Sequence, residues 1–166
     1  LATTLCEKGV APPVVIRLHG RVLLAEDNES NQLVAISHMQ RLGLQVTCAE
    51  NGQQVIERLA EADFDLVLMD CQMPQMDGFA ATRLIRAEEL AAGTGRHVPI
   101  IALTANAMRG DRERCLEAGM DDYLAKPYVG DEMRAILIRW LPPALVDEST
   151  LLTANRATQT SVVASH

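Results

Sequence analysis

The chain has 166 residues, is 48% hydrophobic but only 3% aromatic, and carries a formal net charge of −7. That length suits one domain with tails around an aliphatic core. The acidity, with no basic stripe to neutralise phosphates, excludes a nucleic-acid binder. No apolar run approaches the roughly 20 residues that span a bilayer, and no signal peptide is apparent. A cytoplasmic domain without membrane contact is expected. The first residue is Leu rather than Met, which points to a segment of a longer protein.

Residues 1–20, with Gly9, Pro12, Pro13 and Gly20, show no sustained period and read as a linker. From Arg21 onward the pattern alternates between strands and helices. Strands are predicted at about 21–25, 44–49, 65–69, 98–103 and 121–124. Helices are predicted at about 29–42, 52–62, 78–90, 107–118 and 129–140. Four of the strands are near-continuous apolar runs, as parallel strands covered on both faces require. Gly43 and Gly119 follow helical segments where a left-handed cap fits. Pro99 begins its strand, where a missing N–H is tolerated. The 91–96 stretch reads as a surface loop. Met133, Ile136, Leu137 and Trp140 form one stripe on the last helix. Residues 142–166 read as a flexible tail too short for a second core. The expected architecture is α/β, a doubly wound five-stranded parallel sheet with helices on both faces.

Each of four strands ends in a polar residue of a different kind. The first ends in Glu26-Asp27, the third in Asp70, the fourth in Thr104 and the fifth in Lys126-Pro127. In an open parallel sheet the carboxyl ends share one edge, and ligands bind there. Three carboxylates, a hydroxyl and an ammonium then converge, a set suited to a divalent cation and a phosphoryl group. Mg²⁺ takes oxygen ligands and keeps several waters, so two or three carboxylates suffice. Taken singly, each carboxylate reads as a solvated loop residue; taken together, they form a site. Cys6, Cys48, Cys71 and Cys115 include no Cys-x-x-Cys pair and are expected as reduced thiols. Cys71, beside Asp70, reads as a small packing residue, with a reactive thiol as the alternative.

The order Glu26-Asp27, Asp70, Met73-Pro74 with Asp77-Gly78, Thr104-Ala105 and Lys126-Pro127 resembles the receiver domain of two-component response regulators. The resemblance covers roughly Arg21 to Leu141, and the local wording is most like receivers attached to hybrid sensor histidine kinases. It implies a receiver domain at 21–141 with the flavodoxin-like strand order 2-1-3-4-5 and a cis bond at Lys126-Pro127. It implies that Asp70 is the nucleophile that forms an aspartyl phosphate. Asp27 and Asp70 then ligate Mg²⁺ directly, Glu26 binds it through water or helps hold the site's charge, and Gln72 ligates through its carbonyl; Mn²⁺ is expected to substitute. Lys126 and Thr104 contact the phosphoryl oxygens, and Thr104 with Tyr123 carries the switch. Gln72 and Asn106 tune attack of water on the acyl phosphate. The implied partners are a histidine kinase's phosphohistidine domain or a histidine phosphotransfer domain.

The resemblance implies a phosphoacceptor that assists its own phosphorylation and dephosphorylation; the segment has no kinase catalytic motifs, and a histidine kinase is the candidate for the parent protein. His19, His38, His97 and His166 have no kinase phosphohistidine context, and no ATP-lid motif is present. A haloacid-dehalogenase-type phosphatase requires Asp two residues past its nucleophile, where this chain has Gln72. No Gly-rich phosphate loop precedes a Lys-Ser/Thr pair. The alternatives carried forward are a stand-alone response regulator and a degenerate receiver that serves only as an interaction module.

Overall fold

The computed structural model describes residues 16–105 and 109–147. Five strands alternate with five helices: β1 Arg21–Ala25, α1 Glu29–Arg41, β2 Gln45–Ala49, α2 Gly52–Glu61, β3 Leu66–Asp70, α3 Gly78–Ala92, β4 Ile100–Thr104, α4 Arg109–Ala118, β5 Asp122–Ala125 and α5 Gly130–Trp140. All neighbouring strands pair in parallel, in the order β2-β1-β3-β4-β5. That is the expected 2-1-3-4-5 order. The central strands β1, β3 and β4 are buried almost throughout, whereas the edge strands β2 and β5 are half-buried. The apolar runs therefore report position in the sheet.

Side chains alternate across the sheet. Leu23, Ala25, Val67, Met69, Ile100 and Ala102 pack with Val55, Ala81, Ile85 and Cys115 from α2, α3 and α4. The other strand residues, Val22, Leu24, Leu66, Leu68, Ile101 and Leu103, are equally buried on the second face. There α1 and α5 contribute Met39, Met133 and Leu137. Trp140 departs from the expected stripe: it is half-buried and its Nε1–H donates to Asp122 at 2.8 Å.

Local chemistry sets the boundaries. Asn28, Asn51 and Asp77 cap α1, α2 and α3, each accepting a backbone N–H two or three residues into its helix. Gly43 and Gly119 have φ of 100° and 106°. The helix α3 runs past its predicted end to Ala92, and Gly93 closes it in the left-handed region, so the loop is shorter than the 91–96 stretch suggested. The compact unit begins at Leu18 and ends at Val146. The expected linker, 1–20, thus ends inside it: Leu18 is fully buried and its N–H donates to the Leu42 carbonyl. The expected limits of 21–141 fall within this unit; residues 1–15 and 148–166 lie outside the described residues.

At the amino-terminal edge of the sheet, Arg86 ties three segments together: α3, the α3–β4 connection and the α4–β5 connection. Its guanidinium donates to the Gly119 and Val98 carbonyls, to Glu89 at 2.6 Å and to Asp121 at 2.8 Å. Glu89 and Asp121 also accept the backbone N–H groups of Val98 and Ile100. Their remaining acceptor capacity is largely filled, since His97 binds the second Asp121 oxygen at 2.7 Å.

Candidate phosphoacceptor and metal site

The strand register brings the polar strand ends together. Ala25 pairs with Met69, Asp70 with Leu103 and Thr104 with Ala125. Glu26 and Asp27 therefore follow β1 directly beside Asp70, and Lys126 follows β5 beside Thr104. Carboxylate oxygens of Glu26, Asp27 and Asp70 lie within 4.8 Å of one another. Glu26 is only 2% exposed, Asp70 is buried and Asp27 is exposed. Three hard anionic oxygens at this separation, one facing solvent, suit a small divalent cation that keeps part of its water shell.

Lys126 bridges two of the three carboxylates. Its Nζ donates to Glu26 at 2.6 Å and to Asp70 at 2.9 Å. Burial by itself lowers the affinity of this ammonium for its proton, but the bonds to Glu26 and Asp70 outweigh burial and hold its pKa above the usual lysine value. The expectation had Lys126 pairing with a phosphoryl oxygen, and Glu26 binding the metal through water or helping to hold the site's charge. The structure adds a Glu26–Lys126 pair, which no local pattern signals because the residues are 100 positions apart. Asn28 N–H also donates to Glu26, and the Gln32 amide holds the Glu26 carbonyl at 2.6 Å.

The loop after Asp70 is held tightly. Gln72 N–H donates to the second Asp70 oxygen at 3.1 Å, and Cys71 N–H to the Leu103 carbonyl. Gly78 N–H returns to Cys71, and a Cβ at Gly78 would overlap the Asp70 carbonyl. Gln75 sits at φ 66° and its side chain accepts from Asn51. The Lys126–Pro127 bond is cis.

A cleft beside this cluster is lined by Glu26, Asp27, Asp70, Gln72, Pro74 and Lys126. A second, on the α4 side, is lined by Asp70, Cys71, Thr104, Ala105, Asp111 and Arg114. Thr104 is buried at the end of β4 and opens onto this second cleft. Tyr123 is half-buried on β5, with the Arg112 guanidinium 5.4 Å from its ring centroid. Asn106 lies outside the described residues. A neighbouring groove is lined by Asn31, Val34, Lys126, Pro127 and Tyr128. Burial pushes the Tyr128 phenol up from its ordinary pKa. Val34, which lines the groove, is 52% exposed, and the adjacent Leu33 of α1 is 69% exposed. The sequence reading missed this apolar rim, although two adjacent aliphatic residues off the buried stripe of α1 were its signal.

Residues 22–138 match the family described as the response regulator receiver domain. The chain belongs to this receiver family. Over 136 residues, 82% of this chain, it is 40% identical to sensor protein GacS of Pseudomonas syringae pv. syringae, and it spans only 15% of that relative. The receiver domain of sensor histidine kinase PA1611 from Pseudomonas aeruginosa PAO1 superposes with a TM-score of 0.66 at 50% identity, covering 74% of this chain and 97% of the other. That receiver holds a magnesium ion in its active site cleft. The receiver of Ssk1 from Saccharomyces cerevisiae, solved with the histidine phosphotransfer protein Ypd1, superposes with a TM-score of 0.69 at 30% identity, over 75% of this chain and 90% of the other. The present receiver is thus similar to those of hybrid histidine kinases and shares their phosphoacceptor role in a phosphorelay. No helix among its described residues is long and apolar enough to cross a membrane.

Proposed function

We propose that Asp70 is the phosphoacceptor, taking a phosphoryl group from a phosphohistidine of a histidine kinase or histidine phosphotransfer domain. The convergence of Glu26, Asp27 and Asp70 around Lys126 at the carboxyl edge carries this reading. An Asp70 oxygen attacks phosphorus, the P–N bond breaks, and the electron pair stays on the imidazole. Phosphoryl transfer asks the protein mainly for positioning and charge neutralisation. Gln72 N–H fixes the Asp70 carboxylate, and Lys126 exchanges its Asp70 contact for a phosphoryl oxygen. Thr104, at the end of β4, hydrogen-bonds a second phosphoryl oxygen. Asp27, Asp70, Glu26 and the Gln72 carbonyl are the proposed metal-holding groups; Mg²⁺ bound there supplies further neutralisation of the phosphoryl charge. Mn²⁺ accepts the same oxygen donors and is proposed to substitute.

The Thr104–Tyr123 pair is the proposed switch, and Gln72 and Asn106 the proposed controls on hydrolysis. The donor is proposed to approach over Leu33 and Val34 and the Pro127–Tyr128 turn, an apolar rim next to the reactive carboxylate. The Ssk1 receiver's complex with Ypd1 supports such a partner. The proposed setting is the cytoplasmic part of a hybrid sensor histidine kinase.

The test is incubation with a small acyl phosphate and Mg²⁺. One hydroxylamine-sensitive phosphoryl group is expected on the wild-type chain and none on Asp70→Asn. Equal labelling of the variant would move the acceptor elsewhere.

A further inference from the structure

Two thiols meet directly behind the acceptor. Cys71 follows Asp70 on the β3–α3 loop, and Cys115 lies on α4, 44 residues away. Their sulfurs are 3.9 Å apart, in S–H···S contact. Cys115 is 1% exposed and Cys71 6%, but the two are placed unequally. Cys71 is one of the residues lining the cleft that Asp70 and Thr104 share, at the edge of the buried cluster. Cys115 sits behind it in the core between the sheet and α4. A cysteine at the wall of an open cleft, with a second sulfur in contact behind it, is the arrangement in which a first oxidation is trapped by the neighbour.

We propose that Cys71 and Cys115 form a reversible disulfide under peroxide and that this bridge slows phosphorylation of Asp70; the second half rests on the reading of Asp70 given above. Peroxide oxidises the Cys71 thiol to a sulfenic acid, the O–O bond breaking and one water leaving. The Cys115 thiol then attacks the Cys71 sulfur, the S–O bond breaks, and a second water leaves. Two thiols and one peroxide thus give one disulfide and two waters. The sulfurs must close from 3.9 Å to about 2.0 Å. Both backbones are held, Cys71 on Leu103 and Gly78 and Cys115 on Met120 N–H, so closure draws the β3–α3 loop and α4 together. The wall carrying Asp111 and Arg114 then shifts toward Asp70 and Thr104, narrowing the cleft that must admit the phosphoryl group.

The experiment treats the whole chain with hydrogen peroxide, reads intact mass and peptide maps, and measures labelling by a small acyl phosphate before and after thiol reductant. Expected are a mass loss of about 2 Da, with Cys71 and Cys115 in one cross-linked peptide, and labelling slowed several-fold until reductant restores it. Cys115→Ala and Cys115→Ser should label at the normal rate and lose this reductant-reversible inhibition. Reductant does not return methionine sulfoxide, so methionine oxidation cannot mimic the pattern. Unbridged thiols under treatment that oxidises methionines overturn the proposal. So does a bridged protein labelled as fast as the reduced one. A reduced chain that takes no phosphoryl group sinks the reading of Asp70 and the gating with it, while the bridge itself stands or falls on the mass.

Discussion

The two ends of the sheet carry charge clusters built on opposite plans. At the amino end, Arg86 meets Glu89 and Asp121, and backbone N–H and C=O groups complete the coordination of all three. At the carboxyl end, three carboxylates share one lysine, and one of them, Asp27, faces solvent. In the first cluster every carboxylate oxygen already accepts a hydrogen bond from Arg86, His97 or a backbone N–H. The second holds an excess of negative charge over an open cleft, which only a further cation can balance. Proximity of charges does not separate structure from function here; how far the carboxylate oxygens are already satisfied does.

The sharpest way to break this comparison is one substitution at each end. Asp70→Asn should abolish phosphorylation while circular dichroism and melting stay close to wild type. Arg86→Ala should leave every site residue in place yet destabilise the fold by about 3–5 kcal/mol in chemical denaturation, because it strands two largely buried carboxylates. A mild loss at Arg86, or a severe fold defect at Asp70, would erase the distinction.

Lys126→Ala tests the two plans within one residue. It removes charge-assisted contacts worth about 1.5–3 kcal/mol each to an acceptor and should slow phosphorylation. It also leaves Glu26 buried beside Asp70 with no lysine between them. Stability measured without metal should therefore fall, and Mg²⁺ should recover part of it. A loss that Mg²⁺ leaves untouched would mean the lysine serves packing alone.

Metal should separate the ends further. A ligand that binds only the folded state at ten times its Kd stabilises by about 1.4 kcal/mol. Melting temperature should rise with Mg²⁺ in the wild type and in a conservative Arg86→Lys variant, but not in Asp27→Ala. An equal ionic strength of Na⁺ should do little; matching shifts with both salts would indicate simple screening.

The smallest effect concerns pH. Burial pushes the Cys71 and Cys115 thiols above the ordinary value of 9.0. The unfolded chain therefore loses these protons first as pH rises, while the folded chain keeps them. Their contribution is fully present below pH 9.0 and is lost as pH climbs toward their raised folded values. Denaturation midpoints should fall between pH 8 and pH 10, and less so in Cys71→Ser/Cys115→Ser. An identical slope in that variant would assign the alkaline loss to other groups.

The strand ends were legible because they depend on local pattern. An apolar run that stops at Asp70 or at Glu26-Asp27 marks both a strand and its carboxyl edge, and parallel pairing then aligns those edges. The pairings across the chain were not legible. Nothing near Glu26 announces Lys126, and nothing near Arg86 announces Asp121, 35 residues on. Leu18 and Trp140 mislead for a related reason: a single apolar residue gives no period, so only the packed structure shows that Leu18 is covered and that the Trp140 N–H is held at Asp122. Gly93 sat inside a stretch read as loop, yet it is the cap that lets α3 run to Ala92.

The Arg86–Gly119 bond has a mechanical consequence. It clamps the carboxyl end of α4 to α3 while the other end of the helix reaches toward Thr104 and the acceptor cleft. A helix held at one end can respond to events at the other only as a lever. Ten residues of helix make an arm of about 15 Å, so a pivot of roughly 10° swings the free end by about 2.6 Å. The displacement shrinks steadily toward the clamp. Any surface on α4 that reports phosphorylation gains most from lying near the acceptor, and the turns next to Gly119 serve as the fulcrum.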